Sequence, residues 1–333
     1  MFKIKIALLY ITTDRPWGGV NTFFRNFNKY AFSDKNVEIV KNYSKADIFL
    51  SVGHRIGQEK LLLKRHIINL SRGLSIINPF GGFLNKGGKK FIFRLDGLRK
   101  IYAPEAGESD DLLIDNLPLA DSAVFQSNYS QKCFDQLKIK YPVSNSTILN
   151  GADNRIFFPS NNNRSELNNK VIIISNSWST NHNKGFKTIA SFSELNRVEV
   201  LHIGRWPEDI SSKYVKLLGT LPEREIAEVL KKGKFFLFPS KNEACPNVVV
   251  EALATGLPVF YHDSGGTPEL CHNGMLGMAL PKDSFDLVTL NEFIESALAQ
   301  YRNMRKLILE KMNLFSFEYC YNKYVEYIWN EIL

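Results

Sequence analysis

Short apolar runs alternate with amphipathic stretches along most of this chain. Residues 4–10, 37–40, 47–52, 91–95 and 122–126 read as strands. Between them, residues 20–31 set Val20, Phe23, Phe24, Phe27 and Tyr30 at helical spacing, and residues 60–70 form a helix rich in Leu and Ile. Residues 110–117 predict a helix whose acidic first turn suits the helix dipole. Ser127 opens another that continues through 131–137. Strand–helix alternation at this spacing predicts a doubly wound α/β sheet.

The pattern breaks at residues 159–169, where five asparagines and two serines show no periodicity and mark a linker or loose loop. It then restarts: strand 171–175, helix 185–195, strand 198–203, helix 222–232, and strands at Phe235 and Val259 around a further helix. The division this predicts is a first domain over 1–158, a linker over 159–169 and a second domain over 170–314. Two similar α/β halves joined in this way leave a cleft between them. The last stretch, 315–333, is aromatic and helical, with Phe317, Tyr319, Tyr321, Tyr324, Tyr327 and Ile328 half-buried.

A length of 333 residues suits two domains, and a hydrophobic content of 44% is ample for two cores. No apolar stretch approaches the roughly twenty residues of a spanning helix. The opening Met1-Phe-Lys-Ile-Lys-Ile is too short for a signal peptide and lacks a small-residue cleavage site, so it reads as a first strand. Cys133, Cys245, Cys271 and Cys320 have no paired spacing, which argues against a zinc site or a disulfide framework and for a reducing compartment; the expected location is cytoplasmic. The chain carries a net charge of +8. Residues 61–100 hold nine Lys or Arg and one acid, a net of +8, interleaved with Ile76, Ile77, Phe80 and Phe83. Such a surface suits an anionic membrane, an acidic or phosphorylated acceptor, nucleic acid or plain solvent. Charge interleaved with apolar groups leads to the expectation of peripheral contact with an anionic membrane, at the cytoplasmic face, through 61–100. Nothing resembles a nucleic-acid-binding module, and no nucleic-acid partner is expected.

Chemistry concentrates after the apolar run 235–238. Glu243 and Glu251 stand eight residues apart, the first in a short loop and the second about a turn inside a helix that starts near Pro246. Ligands of open parallel sheets bind at the carboxyl ends of strands. A helix N-terminus there presents free N–H groups to a phosphate. Carboxylates are poor phosphate ligands but good acceptors for sugar hydroxyls, so the arrangement fits a phosphate flanked by sugars, that is, a nucleotide sugar.

Glu243-Ala-Cys-Pro-Asn-Val-Val-Val-Glu251, the following Ala-Thr-Gly-Leu-Pro-Val and the Gly-Gly-Thr-Pro-Glu ending at Glu269 resemble the C-terminal signature of retaining GT-B glycosyltransferases of the large family 4. The resemblance implies a GT-B fold of two Rossmann-like domains facing a cleft, with the C-terminal helix packing back on the first. It implies that Glu251 holds ribose hydroxyls and Glu243 the donor sugar. The amides near Asn247 and Val248, with Lys184 of Lys184-Gly185, would hold the phosphates. Gly18 and Gly19, beside Arg15, resemble the glycine loop that faces the donor; their spacing does not match a dinucleotide fingerprint. The family usually has an arginine six residues before the lysine, where this chain has Trp178. Arg205 or Arg15 is the expected substitute. Asp96 and Arg94 in Arg-Leu-Asp-Gly are candidates on the acceptor or donor side.

Asn150-Gly-Ala-Asp153 resembles a structural junction motif, and His54 and His182 read as satisfied loop histidines. No Asp-x-Asp occurs, so neither metal nor other cofactor is expected beyond the nucleotide sugar as co-substrate. The acceptor is expected to be a glycan or lipid-linked. A catalytically silent binding subunit and a nucleotide-sugar epimerase on the same fold are the rival readings.

Overall fold

A computed structural model gives the architecture and describes residues 3–13, 18–57, 59–102, 107–108, 110–160, 170–282 and 285–332. Most of the asparagine-rich stretch, 161–169, lies outside the described residues. The chain divides into two compact units, 1–149 with 321–333, and 150–320.

The first unit is built on six parallel strands: β1 (Ile4–Leu8), β2 (Val37–Ile39), β3 (Ile48–Ser51), β4 (Lys90–Leu95), β5 (Ser122–Phe125) and β6 (Asn145–Thr147). They lie in the order β2-β1-β3-β4-β5-β6. The helices between them are α1 (Gly18–Ala31), α2 (Lys64–Ser71), α3 (Arg99–Tyr102), α4 (Asp111–Asn116) and α5 (Asn128–Gln136). The helix start expected at Ser127 is the N-cap of α5, its side chain accepting from Ser130 N at 3.1 Å. β3 and β5 are buried on both faces, as parallel strands covered by helices must be. Phe49 and Phe91 stack at 4.6 Å in this core.

The second unit repeats the plan with β7 (Val171–Ser177), β8 (Val198–Gly204), β9 (Val215–Gly219), β10 (Phe235–Phe238), β11 (Val259–Tyr261) and β12 (Gly277–Ala279). All are parallel, in the order β12-β11-β10-β7-β8-β9. That is the Rossmann order, with the reversal between β7 and β10. Its helices are α6 (Phe186–Ser193), α7 (Glu223–Leu230), α8 (Asn247–Ala254), α9 (Thr267–Leu270) and α10 (Leu287–Glu310). Phe235 stacks on Phe260 at 4.4 Å, and Phe293 of α10 meets Phe260 edge-on at 4.8 Å.

The sequence reading names no strand at β6, β9 or β12 and no helix at α10. All three are edge strands, short or only partly buried, so apolar runs do not announce them. The C-terminal helix α11 spans Phe317–Glu331. Within the first unit Tyr321 meets Phe27 at 5.1 Å and Tyr324 meets Phe23 at 5.2 Å. Tyr327 shares hydrogen bonds with Ser122 at 2.6 Å and Ser144 at 2.9 Å. Among the described residues no helix is long and apolar enough to cross a membrane.

Candidate active site

The reversal of strand order between β7 and β10 opens a crevice at the carboxyl ends of the second sheet. The sequence places its candidate residues on the segments leaving these strands. Lys184 ends a 3-10 turn (His182–Lys184) after β7, and Glu243 sits in the loop after β10. The two side chains form an ion pair, Lys184 Nζ to Glu243 Oε1, each about a quarter to a third exposed. Ser240 Oγ donates to the same Glu243 oxygen at 3.0 Å. The carboxylate is therefore held by two donors while part of its surface faces solvent.

The loop carrying Glu243 is fixed from behind. Asn242 adopts a left-handed φ of 57°, and its N–H donates to Ser264 Oγ at 3.0 Å. Gly266 N donates to Glu243 O at 2.8 Å. A Cβ on Gly265 would lie 2.4 Å from the Glu243 carbonyl oxygen, so only glycine allows this approach. The Gly-Gly run before Thr267 thus acts on Glu243 through the backbone.

Four residues further on, α8 begins. Its N-cap is Pro246, which makes no side-chain cap hydrogen bond. The first amides of a helix have no intrahelical acceptor, so the N–H groups of Asn247 and Val248 are available to an anion. Asn150 positions this helix start: its Nδ2 donates to Cys245 O at 2.9 Å and to Asn247 Oδ1 at 2.8 Å. Asn150 is thus a positioning residue that the sequence reading treats as structural only. Its spacing to α8 is 97 residues, so no local pattern reveals it. Glu251 lies one turn into α8. Burial pushes its carboxyl up to about 8, and the Glu223 carboxylate adds to the shift.

On the other side of β7, Gly204 closes β8 and Arg205 follows. The Arg205 guanidinium stacks on Trp178 at 4.5 Å. A cation thus stands against the residue at which family members usually carry arginine. Behind it, buried His202 bonds Ser175 Oγ through Nδ1 at 2.8 Å and Arg205 O through Nε2 at 3.0 Å. Burial lowers its pKa to about 4, so it stays neutral and structural. His182 pairs with Asp209 at 3.1 Å, both exposed. Among the described residues no three His, Cys, Asp or Glu side chains group to hold a metal ion.

The candidates of the first unit sit at the carboxyl ends of its own strands. Gly18 and Gly19 open α1 after β1 and are exposed; Arg15 lies outside the described residues. Asp96 follows β4, is exposed, and accepts from Gln126 Nε2. Arg94 is placed otherwise than expected. It is 2% exposed, and its guanidinium lies 4.2 Å over the Phe23 ring. β4 is buried on both faces from Phe91 onward, so Arg94, next to last in the strand, packs on Phe23 of α1 and supports the core rather than presenting a charge to an acceptor. His54 bonds the Val52 carbonyl at 2.9 Å, as a satisfied loop histidine should.

These features match a known family. Residues 169–297 match the family model described as glycosyl transferases group 1. That segment, in the second unit, is therefore similar to group 1 glycosyltransferases. A curated relative is the phosphatidylinositol N-acetylglucosaminyltransferase gpi3 subunit of Schizosaccharomyces pombe, 32% identical over 96 residues, or 27% of this chain and 21% of that protein. Another is the amylovoran biosynthesis glycosyltransferase AmsK of Erwinia amylovora, 36% identical over 74 residues, or 20% of this chain and 18% of that one. The matched segment thus spans about a fifth of the length of these relatives. The fold as a whole is shared more widely. Sucrose-phosphate synthase from Thermosynechococcus elongatus superposes with a TM-score of 0.69 at 14% identity, covering 97% of this chain and 98% of that one. Anabaena HepE in complex with UDP-glucose gives 0.67 at 16% identity, covering 97% and 98%. The two units therefore have the GT-B fold, each a Rossmann-like half.

Proposed function

We propose that this chain is a retaining glycosyltransferase that moves a sugar from a nucleotide diphosphate sugar to a glycan or lipid-linked acceptor, without a metal ion. The observation that carries the reading is the Lys184–Glu243 pair at the strand reversal, beside the open N-terminus of α8 and the carboxyl of Glu251. On donor binding, Lys184 turns from Glu243 to the diphosphate and the amides of Asn247 and Val248 share the charge. Fixed donors aimed at a leaving group are the usual means of stabilising developing negative charge. Arg205, held over Trp178, is the second cation. Glu243 accepts from hydroxyls of the transferring sugar and Glu251 from those of the ribose. Retention follows if the departing phosphate takes the acceptor proton on the same face, which requires no strong protein base. A nucleotide-sugar substrate and four cysteines without paired spacing in the sequence favour a cytoplasmic location.

UDP and UDP-glucose are the first ligands to test, because a structure of the same fold is described with UDP-glucose. Calorimetry should show binding of both, and turnover should persist in excess chelator. Lys184→Ala should lower kcat at least about 100-fold, as expected when one electrostatic stabiliser of a leaving group is removed. Activity that vanishes with chelator and returns with manganese would overturn the metal-free reading. Binding without turnover with any acceptor would identify a silent subunit, and conversion of donor without acceptor an epimerase.

A further inference from the structure

The basic segment of the first unit is partly neutralised in the fold. Lys86 pairs with Asp121 at 2.6 Å, with Lys90 at 3.8 Å from the same carboxylate, and Lys100 pairs with Asp111. Lys89 donates to the carbonyls of Ser44 and Ala46. Arg94 is in the core. Arg99 at the start of α3 is exposed, and three further exposed charges without an acid partner among the described residues collect on α2: Lys64 and Arg65 at its start and Arg72 at its end.

Beside these three charges lies a turn with an unusual surface. Residues 76–84 include the 3-10 turn Pro79–Phe83, and within this stretch Ile77 is 84%, Phe80 65% and Phe83 88% exposed. The turn is firmly built. Buried Asn69 of α2 donates to Ile76 O at 3.2 Å and Asn78 O at 2.8 Å, and Asn78 Oδ1 caps Phe80 N at 2.9 Å. Gly81 sits so close to α2 that a Cβ would lie 2.6 Å from Arg65 O, so Arg65 adjoins the turn. Arg72 Nε donates to Asn85 O at 2.6 Å and closes the other end. An anchored backbone that points three large apolar side chains at water, rimmed by unneutralised cations, fits a surface that is apolar within and anionic at its face.

We propose that the 76–84 turn docks this protein on a lipid bilayer containing anionic lipid, with Ile77, Phe80 and Phe83 entering the interface and Lys64, Arg65 and Arg72 meeting the headgroups. Charge complementarity selects this occupant. A second copy pairing through the same face would set one basic rim against another. The inference goes beyond sugar transfer and is tested without turnover.

The full chain is sedimented with vesicles of phosphatidylcholine alone and of phosphatidylcholine mixed with phosphatidylglycerol, at low and high salt. Binding is expected only to the anionic vesicles and should weaken with salt. Lys64→Gln with Arg65→Gln should weaken it about tenfold or more, since each basic residue near an anionic surface is worth about a fivefold factor. Phe80→Ser with Phe83→Ser, at exposed positions that leave the fold intact, should also weaken it about tenfold or more. An unchanged melting temperature in both pairs separates lost docking from unfolding. No sedimentation of the parent chain, equal binding to both vesicle types, or full binding by the serine pair overturns the proposal. So does a dimer that the serine pair dissolves while vesicles bind neither protein.

Discussion

Glu251 places an ionisable group where its charged form is disfavoured, and this has consequences for stability and for binding. Its carboxyl is pushed from 4.5 up to about 8 by burial, with Glu223 contributing. Between those values the folded protein holds a proton that the unfolded chain has released. The contribution of this group to stability therefore falls as pH rises from about 4.5 and levels off above about 8. Glu251→Gln should flatten that part of the curve, measurable as melting temperature against pH. Hydroxyl donors favour the carboxylate, so affinity for UDP should rise as pH passes through about 8 in the parent protein and stay flat in the glutamine variant. A parent affinity that is flat with pH, together with an unaltered stability curve in the variant, would remove Glu251 from the site. Lys184 and Glu243 differ in kind: each is the other's partner before any ligand binds, so single substitutions at the two will not add.

At the scale of elements, the site depends on the first turn of α8 and on the loop that precedes it. Helix α8 is eight residues long, with Val249, Val250, Ala252, Leu253 and Ala254 buried, so packing holds its body. Asn150 holds its start. Asn150→Ala removes its hydrogen bonds to Cys245 O and Asn247 Oδ1, each worth about 0.5–1.5 kcal/mol. The expected result is lower stability to urea and weaker UDP binding, because the helix start that would receive the phosphate is no longer tied. UDP affinity unchanged in a destabilised variant would show that Asn150 serves the fold alone. The loop before α8 is set by the Ser264–Gly266 turn, which bonds to Asn242 and Glu243 main-chain atoms.

At the scale of the whole molecule, the chain returns at its end to the unit in which it began. Residues 321–333 belong with 1–149, and the aromatic face of α11 covers Phe23 and Phe27 of α1. Tyr327 supplies the hydrogen-bonding partner of Ser122 and Ser144. Tyr327→Phe should cost about 1–3 kcal/mol by removing the partner of the buried Ser122 hydroxyl, read from urea denaturation. A stop in place of Tyr321 should do more, exposing the aromatic face of α1 and yielding insoluble or readily proteolysed protein. A soluble truncated chain with unchanged melting behaviour would mean that α11 is dispensable to the first unit.

Sequence alone determined the class of fold and named Lys184 and Glu243, the two candidates that the second unit brings into contact. Apolar runs such as 235–238 and 91–95 are buried on both faces and announce themselves as strands, because parallel strands covered by helices need no polar side. Glu243, Glu251 and Lys184 were legible because a short loop and one helical turn fix their positions locally. The tertiary structure decided what depends on partners distant in sequence. It paired Lys184 with Glu243 across 59 residues and tied Asn150 to α8 across 97. It set Arg205 on Trp178 and sank Arg94 beneath Phe23. The same holds for charge: the +8 of residues 61–100 is visible in composition, but only packing shows which lysines Asp121, Asp111 and nearby carbonyls absorb and which cations remain beside Phe80 and Phe83. Local patterns fix backbone conformation through sterics and burial, whereas the state of a charge depends on what the folded chain brings within a few ångströms of it.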